Sequence, residues 1–212
     1  LFGSSLELLT FVVTTSLVGV CTFLFAQRSA SQREQLLTLA SRDPLTNAGN
    51  RRQMELELTQ AARWHDSEQL PCTLAVFDFD HFKRVNDEHG HAAGDRVLIE
   101  FANLIGHGTR KQDRLFRFGG EEFVLLLPAT DIDGARQLLQ HLQSTLRVSL
   151  RSPGGPVSVS IGAAPLHAGE GWSRWLARCD AAMYAAKRAG RDCLVIANDR
   201  FQGSEPAKAA LP

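Results

Sequence analysis

Arg117-Phe118-Gly119-Gly120-Glu121-Glu122-Phe123 stands between two apolar runs, Leu115 to Phe118 and Phe123 to Leu127. The first run alternates and the second is apolar throughout, so the second reads as a buried strand and the pair as a hairpin. Two glycines at the corner supply the positive φ values that a tight turn demands. The side chains beside them are carboxylates rather than neutral turn formers. A rigid corner presenting two acids suits holding a hard divalent cation against a polyphosphate. A surface hairpin tipped by two solvated glutamates fits this stretch equally well.

A second acidic strand end shifts that balance. Thr73 to Phe77 is an apolar, β-prone run that ends in Asp78-Phe79-Asp80. Residues i and i+2 of an extended chain face the same side, so Asp78 and Asp80 point together while Phe79 packs. An aspartate after a strand also serves as the N-cap of a following helix. That role is assigned to Asp80, which leaves Asp78, inside the run, as the metal-ligand candidate.

Taken in order, these stretches resemble the successive motifs of the GGDEF diguanylate cyclase family. The residues are Asp78 to Asp87 (DFDHFKRVND), Gly90 to Asp95 (GHAAGD) and Arg117 to Phe123. Asp43-Pro44-Leu45-Thr46 with Asn50-Arg51-Arg52 resembles the family's opening signature, and Tyr184-Ala185-Ala186-Lys187 with Gly190-Arg191 its closing one. The match runs from about Arg42 to Ile196. Asn47-Ala48-Gly49 and Asp192 depart from the family pattern without touching the candidate metal ligands.

The resemblance implies condensation of two GTP into cyclic di-GMP with release of two pyrophosphates. By resemblance, Asp78, Glu121 and Glu122 and the Phe79 carbonyl hold two Mg²⁺, with Mn²⁺ as the substitute. Glu121 is also the proton acceptor, supported by Glu122, and Lys83 neutralises phosphate charge. Asn86 and Asp95, with His91 beside them, fall at the guanine-reading positions, and Lys187 and Arg191 at phosphate-binding ones. Each has a plainer reading: a helix cap for Asn86, a solvated carboxylate for Asp95, solubilising cations for the rest. Arg110-Lys111-Gln112-Asp113 matches the family's RxxD product-inhibition site, so Arg110 and Asp113 are expected to bind cyclic di-GMP. The partner arginine on the next helix falls at His141, with Arg136 nearby. Catalysis implies a homodimer, since each facing subunit contributes one GTP. A non-catalytic receptor for cyclic di-GMP or GTP is the alternative, and a cyclase making cyclic mononucleotides is a third class.

Composition accommodates this. In 212 residues, Lys+Arg and Asp+Glu are equal at 23 each, so no global basic field points to nucleic acid. Cys21, Cys72, Cys179 and Cys193 are scattered, with no paired spacing for zinc or a disulfide framework. Leu8 to Ala26 carries no charge, and Arg28 and Arg33 follow it. A transmembrane helix over 8–26 is expected, with the rest of the chain cytoplasmic at the inner membrane. Residues 1–7 would then flank a missing N-terminal part. A helical linker over 27–41 holds Leu36, Leu37 and Leu39, a catalytic domain covers 42–197, and 198–212 forms a disordered tail.

Within the domain, Asp43-Pro44 reads as an N-cap and first helical residue, opening a helix that ends near Trp64. The order from Cys72 is strand, helical region (81–107), hairpin (114–127), helix (131–149), strand (157–163), helix (172–189) and strand (193–197). Asp131 is a natural N-cap and Gly190 a helix terminator. This order implies an α/β (α+β) ferredoxin-like or palm-like domain with a mostly antiparallel sheet and helices packed on one side.

Overall fold

The computed structural model describes residues 5–39 and 41–197. Two compact units are present, Leu1–Ala40 and Ser41–Pro212.

The first unit is one helix, α1 (Ser5–Leu39). Leu9, Phe11, Val13, Leu17, Val20 and Phe25 are all exposed along it. The hydroxyls of Thr15 and Thr22 donate back to the carbonyls of Phe11 and Val18 at 2.8 and 2.9 Å, hiding their polarity within the helix. The expected membrane crossing over 8–26 is corrected: among the described residues no helix is long and apolar enough to cross a membrane. The side chains of Leu36, Leu37 and Leu39, and the tail from Asn198, lie outside the described residues.

The second unit is built on a five-stranded sheet. Its elements are α2 (Arg51–Glu68), β1 (Cys72–Phe79), α3 (Phe82–His89), α4 (His91–Gly108), β2 (Arg114–Arg117) and β3 (Glu122–Pro128). They continue with α5 (Ile132–Ser149), β4 (Arg151–Ser152), β5 (Gly155–Pro156), β6 (Val159–Pro165), α6 (Trp172–Arg188) and β7 (Leu194–Ile196). The strand order is β2-β3-β1-β6-β7, antiparallel except for the parallel pair β6 and β7. The β-α-β-β-α-β core is thus arranged as a ferredoxin-like sheet, with β7 added at one edge.

The helices do not pack on one side as the element order suggested. Phe77, Phe79, Phe123 and Leu125 face one layer, with Phe101 of α4 and Leu139 of α5. Leu74, Val76, Val124 and Leu126 face the other, with Met54 and Leu58 of α2 and Trp175 and Met183 of α6. The reason is visible in β1, buried at every position: a strand apolar on both faces needs cover on both. At Gly162 a Cβ would stand 2.1 Å from the Met183 nitrogen and 2.2 Å from the Cys179 carbonyl oxygen. Glycine there lets the α6 backbone lie directly on β6. Burial pushes the Cys72 thiol up to about 12 and the Cys179 thiol higher still, so neither is a reactive cysteine.

Capping differs from expectation at two helices. The N-cap of α2 is Asn50, whose side chain accepts from the Gln53 amide, and the helix runs on to Glu68. Asp43 instead closes a turn, accepting from the Thr46 amide at 2.9 Å and its hydroxyl at 2.7 Å. Proline needs only its fixed φ in such a turn, so Asp-Pro marked a corner rather than a helix start. Asp131 caps α5 as expected. The β4–β5 hairpin had no apolar signal to announce it.

Candidate active site

The two acidic strand ends meet. In the β1–β3 ladder Asp78 lies directly opposite Glu122, with Ser160 of β6 on its other side. Directly paired residues leave a sheet on the same face, so Asp78 and Glu122 share one, while Glu121 sits in the turn one residue before. The side chain of Asp78 is 7% exposed, and its Oδ1 lies 2.6 Å from Lys187 Nζ on α6. That contact is an ion pair, and beyond the ammonium no donor bonds to the buried Oδ1.

This atom is the fit test for a divalent ion. A carboxylate oxygen that faces a cation but accepts no hydrogen bond has a lone pair directed where a metal would coordinate. Among the described residues no group of three or more His, Cys, Asp or Glu side chains gathers as a ready metal cage. Magnesium does not ask for one: it keeps waters and is bound through one or two carboxylates plus substrate phosphates. The Asp78 and Glu121–Glu122 strand ends fit that mode.

Asp80 does not cap α3. That helix has His81 as N-cap with a left-handed backbone and no side-chain bond. The Asp80 carboxylate accepts from Ser160 Oγ and Ser158 Oγ, both at 2.7 Å, and from the Asp192 amide at 3.0 Å. The i, i+2 geometry that brings Asp78 and Asp80 to one face therefore gives one open carboxylate and one saturated one. Phe79 between them is buried, its ring 5.0 Å from Phe101 and 5.3 Å from Phe82. Its packing fixes the strand end from which the Phe79 carbonyl would reach a metal.

The glycines of the turn do something other than expected. Neither Gly119 nor Gly120 has a positive φ. A Cβ at Gly119 would stand 2.7 Å from Glu122 Oε2, whereas one at Gly120 would meet nothing within 4 Å. Gly119 makes room for the Glu122 carboxylate, and Gly120 leaves its side open. The turn is gripped from outside. Arg117 donates to Asp43 at 3.1 Å and to the Gly120 carbonyl at 2.8 Å, and the Arg51 guanidinium lies 4.9 Å over the Phe118 ring. Gly49 docks on β2, its amide donating to Leu115 O at 2.9 Å and its carbonyl accepting from Arg117 N at 2.8 Å. Burial works to raise the Asp43 pKa, but the Thr46 bonds and Arg117 outweigh it and hold the carboxyl below its ordinary value. The opening signature thus serves as the holder of the acidic turn. The sequence motif was visible; its partner was not.

The guanine-reading candidates collect at the junction of α3 and α4. Gly90, at φ +79, ends one helix and starts the next. Asn86 is half-buried, and a Cβ at Gly94 would stand 2.1 Å from its Oδ1. Gly94 therefore lets the Asn86 amide lie flat on α4, one residue from exposed Asp95, with exposed His91 a turn earlier. Lys83 is exposed one residue into α3, just past the end of β1. Lys187 joins Asp78, as described, and Arg191 is exposed beyond α6.

Arg110 and Asp113 lie apart from this edge, before β2. Arg110 is exposed. Asp113 is buried: its Oδ2 accepts from the Arg110 amide at 2.8 Å, and its Oδ1 has no hydrogen-bond partner. Burial raises its pKa, against the opposing Arg110 amide and the Arg110 and Arg114 charges. Its carboxylate closes the turn rather than standing out to solvent. Cavities of about 640 and 730 Å³ lie beside α2 and under the 41–49 turn. Asp78, Glu121 and Glu122 line neither.

Residues 40–193 match the family model described as diguanylate cyclase, GGDEF domain. The chain is 42% identical over 178 residues to diguanylate cyclase DgcP of Pseudomonas aeruginosa, covering 82% of this chain and 26% of that protein. It is 32% identical over 199 residues to the probable diguanylate cyclase DgcC of Escherichia coli, covering 91% and 53%. The chain therefore spans from about a quarter to about half of these curated relatives. Among solved structures, the GGDEF domain of DgcB from Caulobacter crescentus, in complex with c-di-GMP, superposes with a TM-score of 0.72 at 33% identity. That match covers 75% of this chain and 94% of the other. Carrying the family's motifs in order on the family's sheet, the chain belongs to the GGDEF-domain diguanylate cyclase family.

Proposed function

We propose that this chain is a diguanylate cyclase that joins two GTP molecules into cyclic di-GMP. The observation that carries it is the Asp78 strand end: a buried carboxylate oxygen open to a cation, paired in register with Glu122 and held against Lys187. In each of two steps, the 3′-oxygen of one GTP bonds to the α-phosphorus of the other. The bond to the pyrophosphate oxygen breaks, and the 3′-hydroxyl proton passes to the Glu121 carboxylate. Two Mg²⁺ ions, when bound, supply charge neutralisation at the attacking and leaving oxygens. Asp78, Glu121, Glu122 and the Phe79 carbonyl would hold them.

The remaining residues bind and orient. A guanine presents N1–H and N2–H₂ donors beside the O6 acceptor, which matches the Asp95 carboxylate and the Asn86 amide. His91 stands beside them, and Lys83, Lys187 and Arg191 face the triphosphate. The site binds one GTP per domain, and a second subunit in a facing homodimer supplies the other. Product inhibition at Arg110 and Asp113 is part of the proposal, with Arg110 as the exposed group that addresses guanine O6 and N7. The uncharged, exposed stretch 11–25 of α1 supports membrane association at the cytoplasmic side.

The test is product analysis of the full chain with GTP and Mg²⁺ at high protein concentration. Cyclic di-GMP is expected, falling at least about 10²-fold in Glu121→Gln, the usual scale for loss of a catalytic proton acceptor. Progress curves should slow as product accumulates. Nucleotide binding without turnover would establish the receptor reading instead, and a cyclic mononucleotide would establish the third class.

A further inference from the structure

Beyond α6 the chain enters a segment that few sequences adopt freely. Gly190, Arg191 and Asp192 have φ of +115°, +66° and +44° in succession. Two consecutive residues with a Cβ in the left-handed region persist only where the surroundings hold them there. Two groups do so here. The Asp80 carboxylate accepts from the Asp192 amide at 3.0 Å. From the last turn of α5, Arg147 Nε lies 2.9 and 2.8 Å from the two Asp192 carboxylate oxygens, and its Nη2 donates to the Asp192 carbonyl at 2.5 Å. Every polar group of Asp192 is therefore held from outside its own loop. Arg191, one residue away, has no partner for its guanidinium among the described residues, and its amide is tied to the Ala186 carbonyl at 3.1 Å.

We propose that Arg147 is a positioning residue for the triphosphate: acting through Asp192, it holds the left-handed loop that presents Arg191. This rests on the reading of Arg191 as a phosphate-binding cation. Half-exposed ion pairs add little to stability, so stability does not explain a contact that spans a carboxylate and a carbonyl together. Orientation does. An arginine presented from a loop already in its bound conformation has no ordering left to undergo when the nucleotide arrives. Asp80 is the second tether, and it lies two residues from Asp78. One short strand end thus sets both the metal-binding carboxylate and the loop facing the phosphates.

The experiment compares Arg191→Ala, Arg147→Ala, Arg147→Lys and the Arg191→Ala/Arg147→Ala double variant of the full chain. Each is read as KM and kcat for GTP and as equilibrium GTP binding with Mg²⁺. Arg191→Ala is expected to weaken binding and raise KM about tenfold, the scale of one charge-assisted hydrogen bond, with kcat within about twofold. Arg147→Ala should move KM the same way by about fivefold, and the double variant should be no worse than Arg191→Ala alone, because both act through one contact. Arg147→Lys, which keeps the charge but cannot span three oxygens, should recover less than half of the loss.

If Arg191→Ala leaves binding and KM unchanged, the reading of Arg191 falls. If Arg191→Ala raises KM while Arg147→Ala does not, the positioning role falls. Additive losses, or full recovery with lysine, overturn it equally. Should Arg147→Ala unfold at assay temperature, Asp192→Ala takes its place, with the same rise expected and the same unchanged value fatal. A wild-type chain that binds GTP without turnover would sink the cyclase reading, and the positioning role would still be decided by the binding constants.

Discussion

Lys187 and Asp78 pair across 2.6 Å at a position where the carboxylate is 7% exposed and the lysine 27%. Removing the cation leaves a buried negative oxygen with neither charge nor hydrogen bond, at a cost of about 1–3 kcal/mol. Lys187→Met should therefore lower the melting temperature, and Mg²⁺ should restore more of it than it adds to wild type. A variant indifferent to Mg²⁺ in a thermal-shift titration would show that Asp78 does not face a metal. Two other carboxylates carry opposite pH signatures. Asp43, held below its ordinary value, stabilises fully above the unfolded carboxylate pKa of ~3.9, and this contribution is lost as pH falls through its lower folded value. Asp43→Asn should flatten the acid limb of a melting-temperature curve below about pH 4. Asp113, held above its ordinary value, costs stability that is full above the folded pKa and vanishes as pH falls through the unfolded one. Asp113→Asn, which still accepts from the Arg110 amide, should gain on wild type as pH rises above the unfolded carboxylate pKa of ~3.9.

At the scale of elements, the β2–β3 turn is shaped by space rather than by backbone handedness. The two glycines look equivalent in the chain, yet a Cβ meets Glu122 Oε2 at 2.7 Å in one case and open space in the other. Gly119→Ala should displace the Glu122 carboxylate and lower cyclic di-GMP formation by roughly 10–10²-fold, the scale of a 1 Å misplacement at a reacting centre. Gly120→Ala should leave folding unchanged and melt within a degree or two of wild type. Equal effects of the two substitutions on activity would contradict this geometry. The turn is also the point at which distant elements meet, since Asp43 and Arg51 grip Arg117 and Phe118 from the start of the domain. Sequence separation concealed that grip: Asp43 and Arg117 are 74 positions apart.

For the whole molecule, neither cavity beside α2 is lined by Asp78, Glu121 or Glu122, which stand at one edge of the sheet. A reaction between two GTP molecules on such an edge needs a second edge opposite. Specific activity should therefore rise in proportion to protein concentration below the dimer dissociation constant and level off above it. Activity per chain that is constant down to nanomolar protein would show that one subunit suffices.

Local patterns determined much of this protein before any coordinates. Apolar runs marked β1 and β3; Asp131 marked the start of α5; and ordered motifs marked the acids and the helical region that carries the guanine-reading candidates. These follow from period, capping and turn chemistry, which act over a few residues. Tertiary structure alone decided which aspartate of Asp78-Phe79-Asp80 is open and which is saturated, because Ser158, Ser160 and Asp192 arrive from far along the chain. It alone set α2 and α6 on the second face of the sheet, turned Asp43 from a cap into a clamp, and paired Lys187 with Asp78. Such choices depend on which surfaces meet when the sheet is covered, and no short window of residues contains both partners.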